Sequence, residues 1–304
     1  MVAAPASGAA EPSPDVVLET GRPLPLPDGL DEAALRALYA TWSIYGEPRG
    51  HMDPYVGDSF CRFLHTYGLV AGHSGRCLEL GANPYFTTYL FDEHTDLELT
   101  LANYFGHDGV TATQRLTWLD AAGHEHERRY DYDQFNIEES TFPYPDGTFD
   151  VVVFAEILEH LLMDPVGVLL EIRRVLAAGG TLVLTTPNVA RAENAFQLVA
   201  GANIYDPYSG YGPYGRHNRE YTMAELQRLL RFLGFEIEES FTADGHPTDH
   251  RGRADYGQVA PLLARRADEL GGYLFVRARV AGPPGAGFPT FLYRSWPADR
   301  MVEA

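Results

Sequence analysis

Cysteine is nearly absent from this 304-residue chain, which holds only Cys61 and Cys77. Two thiols cannot build a disulfide framework or a four-thiolate zinc site, so a reducing, cytoplasmic setting is expected. Positive charge is scarce as well. Lys and Arg number 23 against 42 Asp and Glu, a formal net charge of −19. Such an excess of acid opposes tight binding to phosphate backbones or anionic membranes and disfavours a nucleic-acid partner. No stretch approaches the ~18 continuous apolar residues that a membrane helix needs. The first thirty residues are rich in Ala, Pro and Gly and lack both the basic start and the apolar centre of a signal peptide. Residues 1–30 are therefore expected to form a flexible tail.

What the chain does contain is apolar material in two rhythms. Hydrophobic residues make up 45% and aromatics 12%, enough for a sizeable core. Asp31 can cap a helix with Leu35, Leu38 and Trp42 on one face. A second helix opens near Pro54 and carries Phe60, Phe63, Leu64 and Tyr67, so residues 31–72 are expected to be helical. The period then changes. "RCLELGA", "DLELTLA", "FDVVVFA" and "GTLVLTTP" are short, branched, apolar strands, separated by stretches long enough for crossover helices. One such helix, "DPVGVLLEIRRVLAAGG", turns Leu169, Ile172, Val175 and Leu176 inward and is expected to stop at Gly179 and Gly180. Thr222 and Glu225 are spaced as a capping box before a further helix and strand, and "GGYLFVRARV" supplies a last strand. The alternation implies an α/β, doubly wound, mostly parallel sheet over residues 73–280, with a C-terminal tail at 281–304.

Sheets of this kind bind ligands beyond the carboxyl ends of their strands, where the strand order reverses. Two strand ends carry unexpected residues. After "CLEL" comes "GANPYF", in which Gly81 permits a tight turn and close backbone approach. The further glycines of a pyrophosphate-binding GxGxxG turn are missing, which argues against a nicotinamide-dependent oxidoreductase. After "VVVFA" come Glu156, Glu159 and His160, where an apolar run would be expected to continue.

From Arg76 to Val280 the sequence resembles the class I S-adenosylmethionine-dependent methyltransferases. The resemblance implies a Rossmann-like fold with a seven-stranded sheet, S-adenosylmethionine as cofactor and S-adenosylhomocysteine as product. It places Glu79, Gly81 and Asn83 against the amino acid part of the cofactor. The acidic residue that normally ends the second strand and grips the ribose is replaced by Asn103, which can still donate and accept hydrogen bonds. Within "FNIEESTFPYPDGTFDVVVFAEILEHL", Asn136 and Ile137 occupy the adenine-contacting positions, with Glu138 beside them. Glu156 falls beside the methionyl portion, whose sulfonium and ammonium groups would offset the cost of burying a carboxylate. Glu159 is expected to face water.

The acceptor side is expected in an insertion at residues 191–220, where tyrosines interleave with glycines and prolines. It ends in Arg216, His217, Asn218, Arg219 and Glu220. An alcohol acceptor must lose a proton as the methyl group arrives, and histidine is the usual base near neutral pH. His217 is the first candidate; His160, expected in the first turn of a helix, is the second. The pairing of "FPYPDGTFDVVVFAEILEHL" with "YGRHNREYT" resembles the sugar O-methyltransferases of natural-product (antibiotic) gene clusters, including those of enediyne biosynthesis that act on TDP-rhamnose. That implies a deoxysugar hydroxyl on a nucleotide diphosphate, with Arg216, Arg219, Tyr214 and Tyr221 as substrate-binding residues. The arginines are equally suited to pairing with the protein's own surplus carboxylates. A homo-oligomer is expected. Neither "GHDG" at Gly106–Gly109 nor "DGHPTDH" at Asp244–His250 has metal-site spacing, so no metal ligands are assigned, and a divalent ion stays open. Another small-molecule acceptor, or a catalytically silent methyltransferase-like assembly protein, are the alternatives.

Overall fold

The computed structural model describes residue 18 and residues 22–44, 46–105, 113–253 and 255–304. Most of the expected N-terminal tail and the Gly106–Gly109 loop lie outside the described residues. Helix α1 (Glu32–Tyr39) begins where the Asp31 carboxylate accepts the Ala34 N–H at 2.8 Å. β1 (Ser43–Ile44), α2 (Asp53–Val70), β2 (Ser74–Leu80), α3 (Phe86–His94) and β3 (Asp96–Asn103) follow. Then come β4 (Thr113–Leu119), β5 (Glu125–Asp131), β6 (Asp133–Gln134) and β7 (Phe149–Ala155). The second half runs α4 (Pro165–Val175), β8 (Leu176–Pro187), α5 (Ala192–Val199), α6 (Met223–Phe232), β9 (Phe235–Ala243), α7 (Tyr256–Leu263) and β10 (Tyr273–Val280).

Seven strands form one sheet in the order β6-β3-β2-β7-β8-β10-β9. The ladders from β6 to β8 are parallel, and β10 is antiparallel to both β8 and β9. The chain steps from β2 outward to β3 and later returns to β7 on the other side of β2. That reversal opens a crevice beyond Leu80 and Ala155. One face is covered by α1, α2 and α3, which bury Phe60, Phe63 and Phe86 against β2 and β3. The other face is covered by α4 and α6, which bury Leu169, Ile172 and Leu226.

Four expectations are corrected here. Helix α4 ends at Val175, not at Gly179–Gly180, and residues 177–180 bulge out of the β7–β8 ladder: Phe149 pairs with Leu176, but Val151 already pairs with Thr181. A second sheet, β1-β4-β5, was not expected; its few buried residues, Leu116, Thr117, Trp118 and Tyr130 on β4 and β5, stand among polar neighbours that hide the pattern. The segment read as an N-terminal tail is packed in part, with Leu18 buried and Leu24, Leu26 and Leu30 against the core. The segment read as a C-terminal tail likewise folds back, burying Phe288 and Tyr293 among α4 and α6 residues. In both cases scattered leucines or aromatics among prolines and glycines give no periodicity, yet each finds an apolar surface left open by the sheet.

Candidate active site

The crevice holds two hollows that share Leu80, Gly81, Glu156 and His160 as walls. Gly81 sits at φ +69°, and a Cβ there would stand 2.6 Å from Ile157 Cδ1. Its N–H donates to the Ala102 carbonyl at 2.8 Å, which ties the turn to the end of β3. Asn103, buried, accepts the Asn83 N–H at 3.2 Å and donates to the Tyr85 hydroxyl at 3.4 Å. Asn103 therefore organises the turn as well as lining the outer hollow. The Asn83 side-chain oxygen is buried with no partner among the described residues. Glu79 is 4% exposed and accepts the Thr88 hydroxyl at 2.7 Å. Burial pushes its carboxyl up to about 8, against the pull of that hydroxyl.

Ile137 and Asn136 line the outer hollow together with Tyr104 and Tyr214. The Asn136 amide is internally engaged: its oxygen accepts the Glu138 N–H at 2.9 Å and its nitrogen donates to the Tyr214 hydroxyl at 3.1 Å. Tyr214, expected on the acceptor side, lines the outer hollow beside Asn136 and Ile137. Glu138 turns away from the hollow, accepting backbone N–H groups of Leu162, Met163 and Asp164 at 2.9–3.2 Å.

The inner hollow is where the charged end of β7 points. Glu156 takes a left-handed backbone, φ 56°, and its carboxylate accepts the Thr185 hydroxyl at 2.8 Å. Burial raises its pKa, while Arg62, 3.9 Å away, opposes the rise. Glu156 does not cap a helix; α4 starts at Pro165 with Asp164 as its cap. Glu159 overturns the expectation that it faces water, being fully buried. One oxygen accepts the Thr186 hydroxyl at 2.9 Å, and the other is buried without a partner among the described residues. Burial, followed by the nearby Glu156, pushes its pKa up to about 8. A single 3₁₀ turn, Leu158–His160, replaces the expected helix and swings Glu159 inward.

His160 and His217 meet in this hollow, their ring centroids 5.0 Å apart. Nδ1 of His160 lies 3.0 Å from the Arg216 carbonyl, an acceptor only, so that nitrogen carries the proton and Nε2 keeps its lone pair. His160 Nε2 lies 3.7 Å from the unpartnered oxygen of Glu159. Nδ1 of His217 lies 2.9 Å from Glu220, which is itself ion-paired to Arg191. Burial lowers the His160 pKa, and the neighbouring His217 lowers it further. For His217, burial pulls down but is outweighed by the Glu220 bond and by Glu159 and Asp206, so its pKa is raised. One atom from each of Glu159, His160 and His217 lies within 4.8 Å of the others, a grouping able to hold a metal ion. No sequence spacing showed this, because Glu159 and His217 are 58 positions apart.

Three expected substrate-binding residues line neither hollow. Tyr221 is 2% exposed and packs in the core, since consecutive extended residues point to opposite sides and Glu220 takes the side facing His217. Arg219 pairs with Glu225 at 2.7 Å, so the carboxylate-pairing reading holds for it. Arg216 lies over the Tyr208 ring at 5.0 Å and donates to Asn218 at 3.3 Å. Tyr205, Tyr208 and Tyr211 stand exposed on the insertion. His246, from the "DGHPTDH" loop, faces the Asp58 carbonyl at 3.3 Å, and His250 stacks on Phe196.

A methyltransferase domain family matches residues 71–240, more than half of the chain, and the chain belongs to that family. That family is described as a methyltransferase domain. A Mycolicibacterium smegmatis protein named as an S-adenosylmethionine-dependent methyltransferase is 33% identical over 112 residues. That match spans 37% of this chain and 37% of the relative's own length. Among solved structures, a SAM-dependent methyltransferase from Archaeoglobus fulgidus is 14% identical with a TM-score of 0.46, covering 72% of this chain and 91% of that one. A Haloferax volcanii methyltransferase in complex with the activator Trm112 is 15% identical with a TM-score of 0.47, over 75% of this chain and 93% of that one. Among the described residues, no helix is long and apolar enough to cross a membrane.

Proposed function

We propose that the protein transfers the cofactor's methyl group to a hydroxyl of a small, polar ring acceptor, a deoxysugar being the class expected. The observation that carries this reading is the Glu159–His160–His217 group in the inner hollow, Glu159 buried and both histidines partly exposed. Methyl transfer to an amine or an activated carbon asks mainly for orientation. Transfer to an alcohol also asks for a proton acceptor, and this group supplies imidazoles whose outer nitrogens are held by a carbonyl and a carboxylate. The exposed Tyr205, Tyr208 and Tyr211 of the insertion are suited to stacking on a ring. A nucleotide sugar such as TDP-rhamnose, in natural-product biosynthesis, is the finer form of the proposal. Its diphosphate would fall to Arg216, because Arg219 is held by Glu225.

The same three side chains fit a divalent cation. The unpartnered Glu159 oxygen is a vacant ligand, and each histidine has its Nδ1 held by an acceptor, the arrangement that orients metal-binding imidazoles. Bound there, a cation would lower the pKa of an acceptor hydroxyl. The protein's own part is to orient the imidazoles through Arg216, Glu220 and Arg191, and to exclude water around Glu159.

The test is a mass-spectrometric screen of nucleotide sugars, free deoxysugars and glycosides for a gain of one methyl group, run with and without chelator. Methylation of nucleotide-linked deoxysugars is the expected result. Methylation only of unrelated small molecules would move the acceptor class. Failure to bind either S-adenosylmethionine or S-adenosylhomocysteine in calorimetric titration would favour the assembly-protein reading.

A further inference from the structure

Arg62 is a buried cation at this end of the sheet for which methyl transfer to a hydroxyl has no evident task. It comes from α2, outside the sheet, and its side chain is 9% exposed. Nη2 donates to the Tyr55 hydroxyl at 2.8 Å. Nη1 stands 3.9 Å from Glu156, beyond hydrogen-bond reach. Nε is buried with no partner among the described residues. Around it lie the rings of Phe63, Tyr273 and Tyr55, at 5.2, 5.4 and 5.8 Å from the guanidinium carbon. A buried guanidinium with so few of its donors satisfied is costly unless a ligand completes it.

Arg62 lines the inner hollow beside the Gly81 turn, where the other charged walls are Asp58, Glu79, Glu156 and Glu159. The cofactor's amino acid end carries two cations, the sulfonium and the ammonium, and one anion, the α-carboxylate. Carboxylate walls suit the cations but repel the anion. A guanidinium fork matches a carboxylate in shape and charge.

We propose that Arg62 binds the α-carboxylate of the cofactor's methionyl group, turning onto it the Nε and Nη1 donors that Glu156 and Tyr55 leave free. The assignment rests on reading the Gly81 turn as the methionyl site. It gives the N-terminal helices a task in cofactor recognition: α2 supplies the charge that the strand ends cannot. Binding would also shield the carboxylate from Glu156.

The experiment is calorimetric titration of the full chain with S-adenosylhomocysteine, its decarboxylated analogue and 5′-methylthioadenosine. Wild-type protein is expected to prefer S-adenosylhomocysteine over the decarboxylated analogue by on the order of 10- to 100-fold, the range of a charge-assisted hydrogen bond. Arg62→Met should erase that preference and leave affinity for 5′-methylthioadenosine in place; Arg62→Lys should restore part of it. The assignment is overturned if the wild type shows no preference, which needs no variant to fold. It is also overturned if Arg62→Met weakens all three ligands by one factor, the mark of a purely structural role. Wild-type protein that binds none of the three overturns the methionyl-site reading itself, and this assignment with it.

Discussion

The ends of β2 and β7 both bury a carboxylate beside the same hollow, but in different company. Glu79 has the Thr88 hydroxyl as its hydrogen-bond partner. Glu156 and Glu159 sit among Thr185, Thr186, Arg62 and two histidines. Burial raises the Glu79 carboxyl to about 8 against the pull of Thr88, so on the proposed reading a bound cation would draw out its charge. At the β7 end, a histidine with a lowered pKa, a histidine with a raised one and a carboxyl raised by burial share one small volume, which on the proposed reading suits them to moving a proton. The proposed function therefore divides binding and chemistry between neighbouring strands of one sheet.

The sharpest way to break this division is to remove the histidines. His217→Ala should lower turnover by about 10²- to 10⁴-fold, the usual size of general-base help, with cofactor affinity nearly unchanged by titration. Retained turnover in His217→Ala, combined with loss in His160→Ala, would move the base to His160. Glu159→Gln should also cut turnover strongly while cofactor binding persists; a fully active variant would remove Glu159 from the reacting group.

At the β2 end the effect should fall on binding instead. Gly81→Val meets both a positive φ, at a cost of about 1–3 kcal/mol, and the Ile157 side chain. Cofactor affinity should drop sharply in calorimetry, and normal affinity in a folded Gly81→Val would misplace the site.

Glu79 offers a pH test of the contrast. Its folded pKa of about 8 lies above the ordinary carboxylate value, so between roughly pH 4.5 and 8 the folded state holds a proton that the unfolded state has released. Stability must therefore fall as pH rises through that window. Melting curves of cofactor-free protein should show Glu79→Gln gaining on wild type from pH 5 to 8, and a constant difference would mean that the carboxylate is ionised throughout. The smallest effect is expected from Asn136→Ala, which loses hydrogen bonds worth about 1 kcal/mol each. Cofactor affinity should fall only several-fold, through release of Tyr214, with little change in melting.

Much of the fold could be read from the chain, because strand and crossover-helix patterns are local. Leu169, Ile172 and Val175 face inward as their spacing requires, and Thr222 and Glu225 close a capping box. The β1-β4-β5 sheet was not legible, since polar residues surround its few buried ones without a regular period. At the site, the glycine turn and the acidic strand ends stood out as departures from pattern. Their partners did not. Arg62 reads in sequence as one charge on an amphipathic helix, and Tyr221 as one more tyrosine in a loop, although the first is a buried cation and the second a core residue.

The sequence by itself determined the doubly wound sheet, the turn at Gly81 and the concentration of charge after β7, because periodicity, glycine and misplaced polarity act over a few residues. Only the tertiary structure decided that Glu159 turns inward, that His217 comes back to meet it from 58 positions away, and that α2 delivers Arg62 to the same hollow. Those outcomes depend on how a single 3₁₀ turn and a long insertion pack on the sheet, and burial, unlike propensity, is a property of what surrounds a residue rather than of the residue itself.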